Sequence, residues 1–525
     1  MSNTLAVFPI VVNAGAAIMP AVIGALGSIL GVLFHPGQLL RLCRRRPAVV
    51  LAVLACGAGT VGAAVLLARL GGTGASARAD DRIDWAKVAM RIINRRRIAA
   101  RGGAVTGQAA TRPAEAFIYR RGPSRCGYDG GGAPLDLMPL WDYRQPDTMV
   151  LSSPAVVGNR LFGASCVADP TGHYGRVFCL DVASGREIWS REAGGDDAFK
   201  AFFSSPAVTA DGKYVVIGQG LHDHDRCSLL CFHAATGKLH WRIATPLHIE
   251  GSPAIRGDLV VAGAGAIEGP DGRALGDPGF VLAVRISDGK ALWRYPVKDP
   301  ESSPVIAGDG ICYIGSGVGG NGVVALRTDA DAPLDASGRT LWRAATPYPA
   351  TGAVTLHGER VIVGCGKGNY IEAARSPAGA VIAFDRRTGA KAWRADVPAA
   401  VLGAVATDGR VVVCPVRDGH VIALDFADGK EIWRQRVNGD EPVLASPVLA
   451  GHVVYAVSRG GTLAVIDASH AVPDGKRIIE THNLNDQADP GQGRSVSSPL
   501  VVGARVYVGS ETGGVRCFVG TRGAE

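Results

Sequence analysis

The densest set of potential metal ligands in this 525-residue chain is the run His222-Asp223-His224-Asp225-Arg226-Cys227. Two imidazoles followed by a thiolate match the N and S donors that Zn2+ takes, which makes His222, His224 and Cys227 candidate ligands. The same run also suits a solvated polar loop. A second polar group consists of Lys367, Asn369 and Tyr370 in GKGNYIEAARSPAG (366–379), with Arg417 and Asp418 further on. Cations, an amide and a phenol of this kind could line the mouth of a binding channel. The 11 cysteines include no adjacent pair, and no Cys-x-x-Cys-His haem attachment occurs. No convergent catalytic set is visible. Loop residues such as these act only when a rigid framework brings them together.

That framework is a repeat. Gly185, Gly237, Gly289, Gly338, Gly389, Gly429 and Gly475 each follow Ser, Thr or Asp at an average spacing of about 48 residues. Four residues after the first six stand Trp189, Trp241, Trp293, Trp342, Trp393 and Trp433, and Ile479 takes the slot after Gly475. Upstream of each glycine lies a short strand with a small third residue, as in VFCLD (177–181), VLAVR (281–285) and VIALD (421–425). Cys179, Cys231 and Cys517 occupy that third position, where four other units have Ala, so they read as small core residues. Each unit opens on a version of SSPAV (152–156, 204–208), with TGAV (351–354) and LGAV (402–405) as weaker copies.

Short β-branched strands between Gly-containing turns, repeated at this period, predict four-stranded antiparallel blades closing into a propeller. The opening strands number eight, but the final unit ends at Val519 without a Trp-bearing strand. Leu137–Arg144 (LMPLWDYR) carries Trp141 in the same Leu-Trp setting and predicts closure of the ring by the N-terminal strand. The expected fold is therefore all-β, an eight-bladed propeller over 137–520 preceded by a lead-in segment at 113–136. Trp141, Trp189, Trp241, Trp293, Trp342, Trp393 and Trp433 are assigned to blade docking, each indole burying about 150–250 Å².

The first fifth of the chain differs. Residues 1–112 hold 14 Lys and Arg against three Asp, a net +11, while the whole chain is +8, leaving the body at −3. A basic body that binds nucleic acid is thereby excluded as the default reading. Residues 8–34 and 47–68 carry no charge, and each is long enough to cross a hydrocarbon core of about 30 Å as a helix. Residues 1–70 are read as an anchor of two transmembrane helices. Met1–Thr4 lacks the basic start of a signal peptide. A lipoprotein-like Val53-Leu54-Ala55-Cys56 is the weaker reading, since Leu54 is large and the apolar run continues. Arg41, Arg44, Arg45 and Arg46 place the connecting loop in the cytoplasm and the propeller outside. Residues 71–112 form a basic juxtamembrane stretch, in which 83–101 suits an amphipathic helix on anionic headgroups or a plain linker.

The combination A-[LVF]-D-x-x-[ST]-G-x-x-x-W with an opening S-S-P-A-V resembles the bacterial PQQ-binding-like β-propeller repeat, over residues 117–520. Tyr119–Gly127 (YRRGPSRCG) is similar to the lead-in of such chains. That family includes quinoprotein alcohol and glucose dehydrogenases and the lipoprotein propeller that helps insert outer-membrane proteins. The resemblance to the dehydrogenases implies a Ca2+ held by Glu, Asn and Asp, an Asp base, a vicinal disulfide and a Trp floor under the quinone. Here the vicinal cysteines are missing. Seven of the eight tryptophans are committed to docking, and Trp85 lies near the membrane. The reading is a scaffold in the bacterial inner membrane, its propeller in the periplasm, binding protein or peptide partners and needing no cofactor. A PQQ- and calcium-dependent oxidoreductase and a small-ligand sensor or carrier are the alternatives.

Overall fold

The computed structural model describes residues 116–117, 124–146, 148–169, 172–192, 199–221, 224–268, 274–276, 278–329, 338–485 and 495–522. Both apolar runs of the expected anchor, the basic stretch 71–112 and His222 lie outside these residues.

Eight antiparallel sheets follow one another in chain order, each with a four-stranded core. Blade 1 is built from Ala155–Val157, Arg160–Asp169, Gly172–Asp181 and Glu187–Arg191, and the next six blades repeat that order. In blade 8, Leu500–Val502, Arg505–Ser510 and Gly514–Arg522 take their fourth strand from the other end of the described chain, Pro134–Tyr143. Trp141 pairs with Cys517 in that ladder. The expected closure is what forms, and it leaves no open blade at either end of the ring.

In blades 1 to 7 the centre of the third strand is apolar and buried on both faces, as in VIAF of blade 5 (Val381, Ile382, Ala383, Phe384). Each face packs on a neighbouring blade, so no alternation of polar residues is needed there. The small third residue faces its tryptophan across the ladder: Cys179 opposite Trp189, Cys231 opposite Trp241, Ala283 opposite Trp293, and likewise around the ring. A bulge follows each of these pairs, where the fourth strand enters from the glycine turn.

The glycine turn carries two constraints at once. Gly389 has φ +72°, and a Cβ there would lie 2.7 Å from Cδ2 of Trp342 in the preceding blade. The indole thus sits where a side chain would be. Its Nε1 donates to a carbonyl beside that turn, Arg386 at 2.9 Å, and the other docking tryptophans repeat the bond. Trp141 of blade 8 donates to Val182 of blade 1 at 3.1 Å, and Trp433 of blade 6 to Ala468 of blade 7 at 3.3 Å.

Blade 7 departs from the expectation. The connection before its fourth strand runs over 468–477, twice the length found in blade 5 (386–390), and the ladder pairs Val465 with Glu480, five residues after Gly475, so Glu480 rather than Ile479 holds the tryptophan slot. The cause is the ring closure. Blade 8 has no turn between its third and fourth strands, because those strands come from opposite ends of the chain, and an indole there would have no glycine to cover. Glu480 instead accepts the Leu137 amide with both oxygens, at 3.0 and 3.2 Å, and so holds the closing strand. Arg477 takes over the cover of Trp433, 4.8 Å above its ring, as Arg339 does for Trp293 at 4.3 Å.

All nine cysteines among the described residues are free, eight of them buried and Cys126 half-buried. Burial pushes the Cys166, Cys179, Cys231, Cys312 and Cys517 thiols up to about 12, and that of Cys365 to about 11. Thiolate is the reactive form, so these groups should be inert in the folded state. With a thiol-exchange chromogen at pH 8, Cys126 is expected to react first among the nine, and the rest only on unfolding. Fast reaction of several buried thiols in native protein would contradict the packing.

Candidate functional site

The two faces of the ring differ in what crosses the central channel. On the face of the glycine turns, the lead-in segment lies over the pore. The amides of Leu356, Thr407 and Leu449, in blades 5, 6 and 7, donate to the carbonyls of Ser124, Cys126 and Gly127 at 2.8–2.9 Å. Between them Arg125, at φ +51°, points to the opposite side and donates to the Ser252 and Pro253 carbonyls of blade 3, at 2.8 and 2.7 Å. It is 2% exposed. A buried guanidinium needs strong acceptors, and the carbonyls at a strand start provide them. Sequence reading placed this segment as a lead-in and missed its role, because its partners lie from 127 residues (Ser252) to more than 300 residues (Leu449) further along the chain.

Inside the channel the opening serines form a belt. The amide of Ser153 donates to the Ser205 hydroxyl, Ser205 to Ser252, and Ser252 to Ser303, at 2.8–3.0 Å. From the other side Ala404 donates to Ser446, Ser446 to Ser498, and Ser498 to Ser153. The belt breaks at blades 5 and 6, where the weaker copies TGAV and LGAV put Ala353 and Ala404 at the serine position. This is the physical content of the recurring second serine in SSPAV: it joins neighbouring blades at the axis.

Two residues before the belt, toward the face of the longer loops, each blade contributes one side chain to the channel mouth. Five are apolar, Leu151, Phe203, Leu402, Leu444 and Val496. Blade 5 gives Thr351, and the adjacent blades 3 and 4 give Glu250 and Glu301. Tyr370, carried in by the 366–379 loop, fills the apolar side. Its ring packs with Leu402, Leu444 and Val496, and its hydroxyl donates to the Leu402 carbonyl at 2.9 Å. Across the pore its ring meets Phe203 edge-on, with centroids 5.1 Å apart. About 50 Å³ of cavity remains, room for a few waters.

Arg417 fixes this stopper. It is 7% exposed and donates to the carbonyls of Asn369 and Ile371, on either side of Tyr370. Burial, and then Arg459 nearby, hold its pKa below the ordinary arginine value. The Asn369 side chain accepts the amides of Ile371 and Glu372 at 2.9 and 2.8 Å, building the turn from which Tyr370 projects. Three of the five expected mouth residues, Asn369, Tyr370 and Arg417, therefore act together. The other two do not join them. Lys367 lies over the Tyr348 ring, 5.5 Å from its centroid, and Asp418 caps its own turn through His420. Glu250, Glu301 and Phe203 were missed, because a position two residues before a serine carries no signal until the strands are arranged in a circle.

Of the candidate zinc ligands, His224 accepts the Leu221 amide at Nδ1, and the Cys227 thiol is buried beside the carbonyls of His224 and Asp225. Among the described residues no group of three or more His, Cys, Asp or Glu is placed to hold a metal.

A quinone does not fit this channel. Small-molecule sites enclose about 300–1,000 Å³, and the seven propeller tryptophans all face neighbouring blades. Among the described residues there is neither a planar floor nor the space above one between the serine belt and Tyr370. The described residues form an eight-bladed propeller of the PQQ-like repeat whose channel mouth is filled by Tyr370.

Comparison with known proteins gives the family. A family model described as outer membrane protein assembly factor BamB matches residues 139–334 and 377–525, well over half of the chain, which therefore belongs to that family. Two curated relatives bear the same name. One, from Nitrosomonas eutropha, is 29% identical over 142 residues, 27% of this chain and 29% of that protein. The other, from Pseudomonas aeruginosa, is 30% identical over 220 residues, 41% of this chain and 50% of that protein. The alignments thus span half or less of the relatives' own length. Among solved structures, BamB from Moraxella catarrhalis superposes with a TM-score of 0.52 at 17% identity, covering 74% of this chain and 99% of that one. A europium-containing methanol dehydrogenase gives 0.54 at 12%, covering 78% and 98%. At such identities the likeness shows the fold alone, and it is the same for an assembly factor and an enzyme. Function has to be argued from the site.

Proposed function

We propose that this chain is a non-catalytic, protein-binding scaffold, tethered by its N-terminal apolar runs to the inner membrane with the propeller on the extracytoplasmic side. The observation that carries the reading is Tyr370. A side chain locked by Arg417 and packed into the pore converts a potential cofactor channel into a surface. The relatives named as assembly factors support the non-enzymatic reading, and the two charge-free runs with their arginine loop support the tether. Ile371, next to the stopper and 60% exposed, presents an apolar side chain on the same face. Apolar groups ringed by polar loops mark protein contacts.

A single cysteine at position 371 tests both parts, because the native thiols of the propeller are largely buried. A membrane-impermeant maleimide carrying a photocrosslinker, added to intact cells, is expected to label Ile371→Cys without lysis. On illumination it should give a discrete protein adduct that Ile188→Cys, on the outer rim, does not. Labelling only after lysis would reverse the orientation. Labelling without a position-dependent adduct would remove the loop face as the binding surface.

A further inference from the structure

An asparagine followed by glycine can modify itself. The glycine nitrogen attacks the asparagine side-chain carbonyl, and no Cβ obstructs its approach. The sequence contains two such steps, Asn321-Gly322 and Asn438-Gly439. The fold treats them in opposite ways.

Asn321 lies in the turn between the second and third strands of blade 4, and its backbone is engaged on both sides. Its amide donates to the Gly317 carbonyl and its carbonyl accepts the Thr346 amide, both at 2.9 Å. Gly322 opens the strand Gly322–Arg327, pairing with Ser316 on one side and Ala345 on the other. A Cβ on it would lie 2.6 Å from the Ala344 carbonyl oxygen, so the sheet closes tightly around this residue. Attack by its nitrogen requires the strand to open.

Asn438 and Gly439 lie in the connection between Glu431–Arg436 of blade 6 and Val448–Ala450 of blade 7. This connection runs on the loop face beside the hairpin of Arg417, since the Val437 amide donates to the Gly419 carbonyl at 3.0 Å. Both residues are exposed. Gly439 has φ +50°, and a Cβ on it would meet nothing within 4 Å. Among the described residues no acceptor takes its N–H. The Asn438 carbonyl accepts the Glu441 amide at 3.1 Å. That bond draws electron density from the peptide group containing the Gly439 nitrogen and makes its N–H more acidic.

We propose that Asn438 is a site of spontaneous covalent modification, which adds negative charge to the loop face as the protein ages. Hydroxide removes the Gly439 amide proton, and the nitrogen forms a bond to Cγ of Asn438. The Cγ–Nδ2 bond breaks, and the departing nitrogen takes a proton from water and leaves as ammonia. Water then adds to one carbonyl of the cyclic imide. Opening at Cγ gives aspartate, and opening at the main-chain carbonyl leaves the chain running through the side chain. In sum an amide and water give an acid and ammonia, with no oxidant or reductant.

Both products change their surroundings. Asn438 Nδ2 donates to the Thr462 hydroxyl of blade 7 at 3.1 Å, and neither product keeps that donor. The new carboxylate joins those of Asp440 and Glu441 in the same connection. The side-chain-linked form also lengthens the chain at Gly439. The Gly439 carbonyl accepts Arg436 Nη1 at 3.0 Å, in a set shared with the Asp418 carbonyl and the Asp440 carboxylate. The modification falls on the face that the scaffold reading gives to a partner, but it does not depend on that reading.

The test ages full-length protein in detergent, at pH 8, in water enriched in heavy oxygen. Mass spectrometry follows the peptides that contain the two asparagines. The 438 peptide should gain the mass of amide-to-acid conversion with heavy oxygen incorporated. Its rate should be at least about tenfold that of the 321 peptide, which reacts only when its strand opens. The rate at 438 should rise with pH, and in urea the two rates should converge. Asn438→Gln, an exposed change, should keep the parent's melting temperature and stop conversion at that position. Equal rates in the folded protein, faster conversion at 321, no conversion at 438, or a product without heavy oxygen would overturn the assignment.

Discussion

Gly389→Ala is expected to destabilise the propeller by about 2–5 kcal/mol, and Gly475→Ala by only about 1–2 kcal/mol. Both residues are left-handed, with φ of +72° and +76°, so the conformational cost of a Cβ is common to them. They differ in what the Cβ meets. At Gly389 it would lie 2.7 and 2.8 Å from Cδ2 and Cε3 of Trp342, whereas at Gly475 nothing lies within 4 Å. Trp342 cannot retreat easily. It is 8% exposed, and its Nε1 is bonded to the Arg386 carbonyl within the core shared by blades 4 and 5. Trp433 by contrast is covered by Arg477, which leaves the Gly475 turn clear of it. Urea-unfolding midpoints of the two variants measure the difference. Equal shifts would mean that the glycines are selected for φ alone and that the indole contact is incidental.

Removing the closing strand is expected to have the largest effect of all. A chain beginning at residue 148 loses Pro134–Tyr143, the seven residue pairs it forms with Gly514–Arg522, and the Arg125 strap. Blade 8 would then present the Gly514–Arg522 strand as a bare edge beside the core of Tyr507, Val515 and Cys517. An exposed edge of that kind recruits other chains. Such a protein should melt well below the full chain and aggregate on concentration. Trp141→Ala isolates the docking part. Trp393, 6% exposed, should cost about 3–5 kcal/mol on truncation to Ala, and the half-buried Trp141 less, although both dock across one blade boundary. A truncated protein that melts like its parent would show that the ring closes without this strand.

The difference between what could and could not be read beforehand has a physical origin. The docking residues were legible because every blade solves the same packing problem, so one Gly, one small residue and one Trp recur in register. Even the exceptional blade was visible as a missing tryptophan after Gly475. Its replacement by Glu480 was not, because the longer connection before the fourth strand shifts the slot to five residues after Gly475 and only the ladder reveals it. The site was legible in part. Tyr370 and Asn369 stood out as polar residues in a long loop, but residue type could not say that the tyrosine turns inward while Lys367 turns toward Tyr348. Arg125, Glu250 and Glu301 act through places on a circle, and position on a circle is not written in any local pattern. The charge-free runs of the N-terminal arm rest on length and composition alone.

The claim that the pore is stoppered, and that the chain therefore binds partners rather than a quinone, has a direct test. The purified protein is incubated with PQQ and Ca2+, and bound quinone is measured together with dye reduction by alcohols and sugars. The account predicts no stoichiometric PQQ binding and no turnover. Tyr370→Ala should enlarge the pore without creating activity, because no tryptophan floor lies beneath it. Stoichiometric binding with turnover by the unmodified protein would contradict the account.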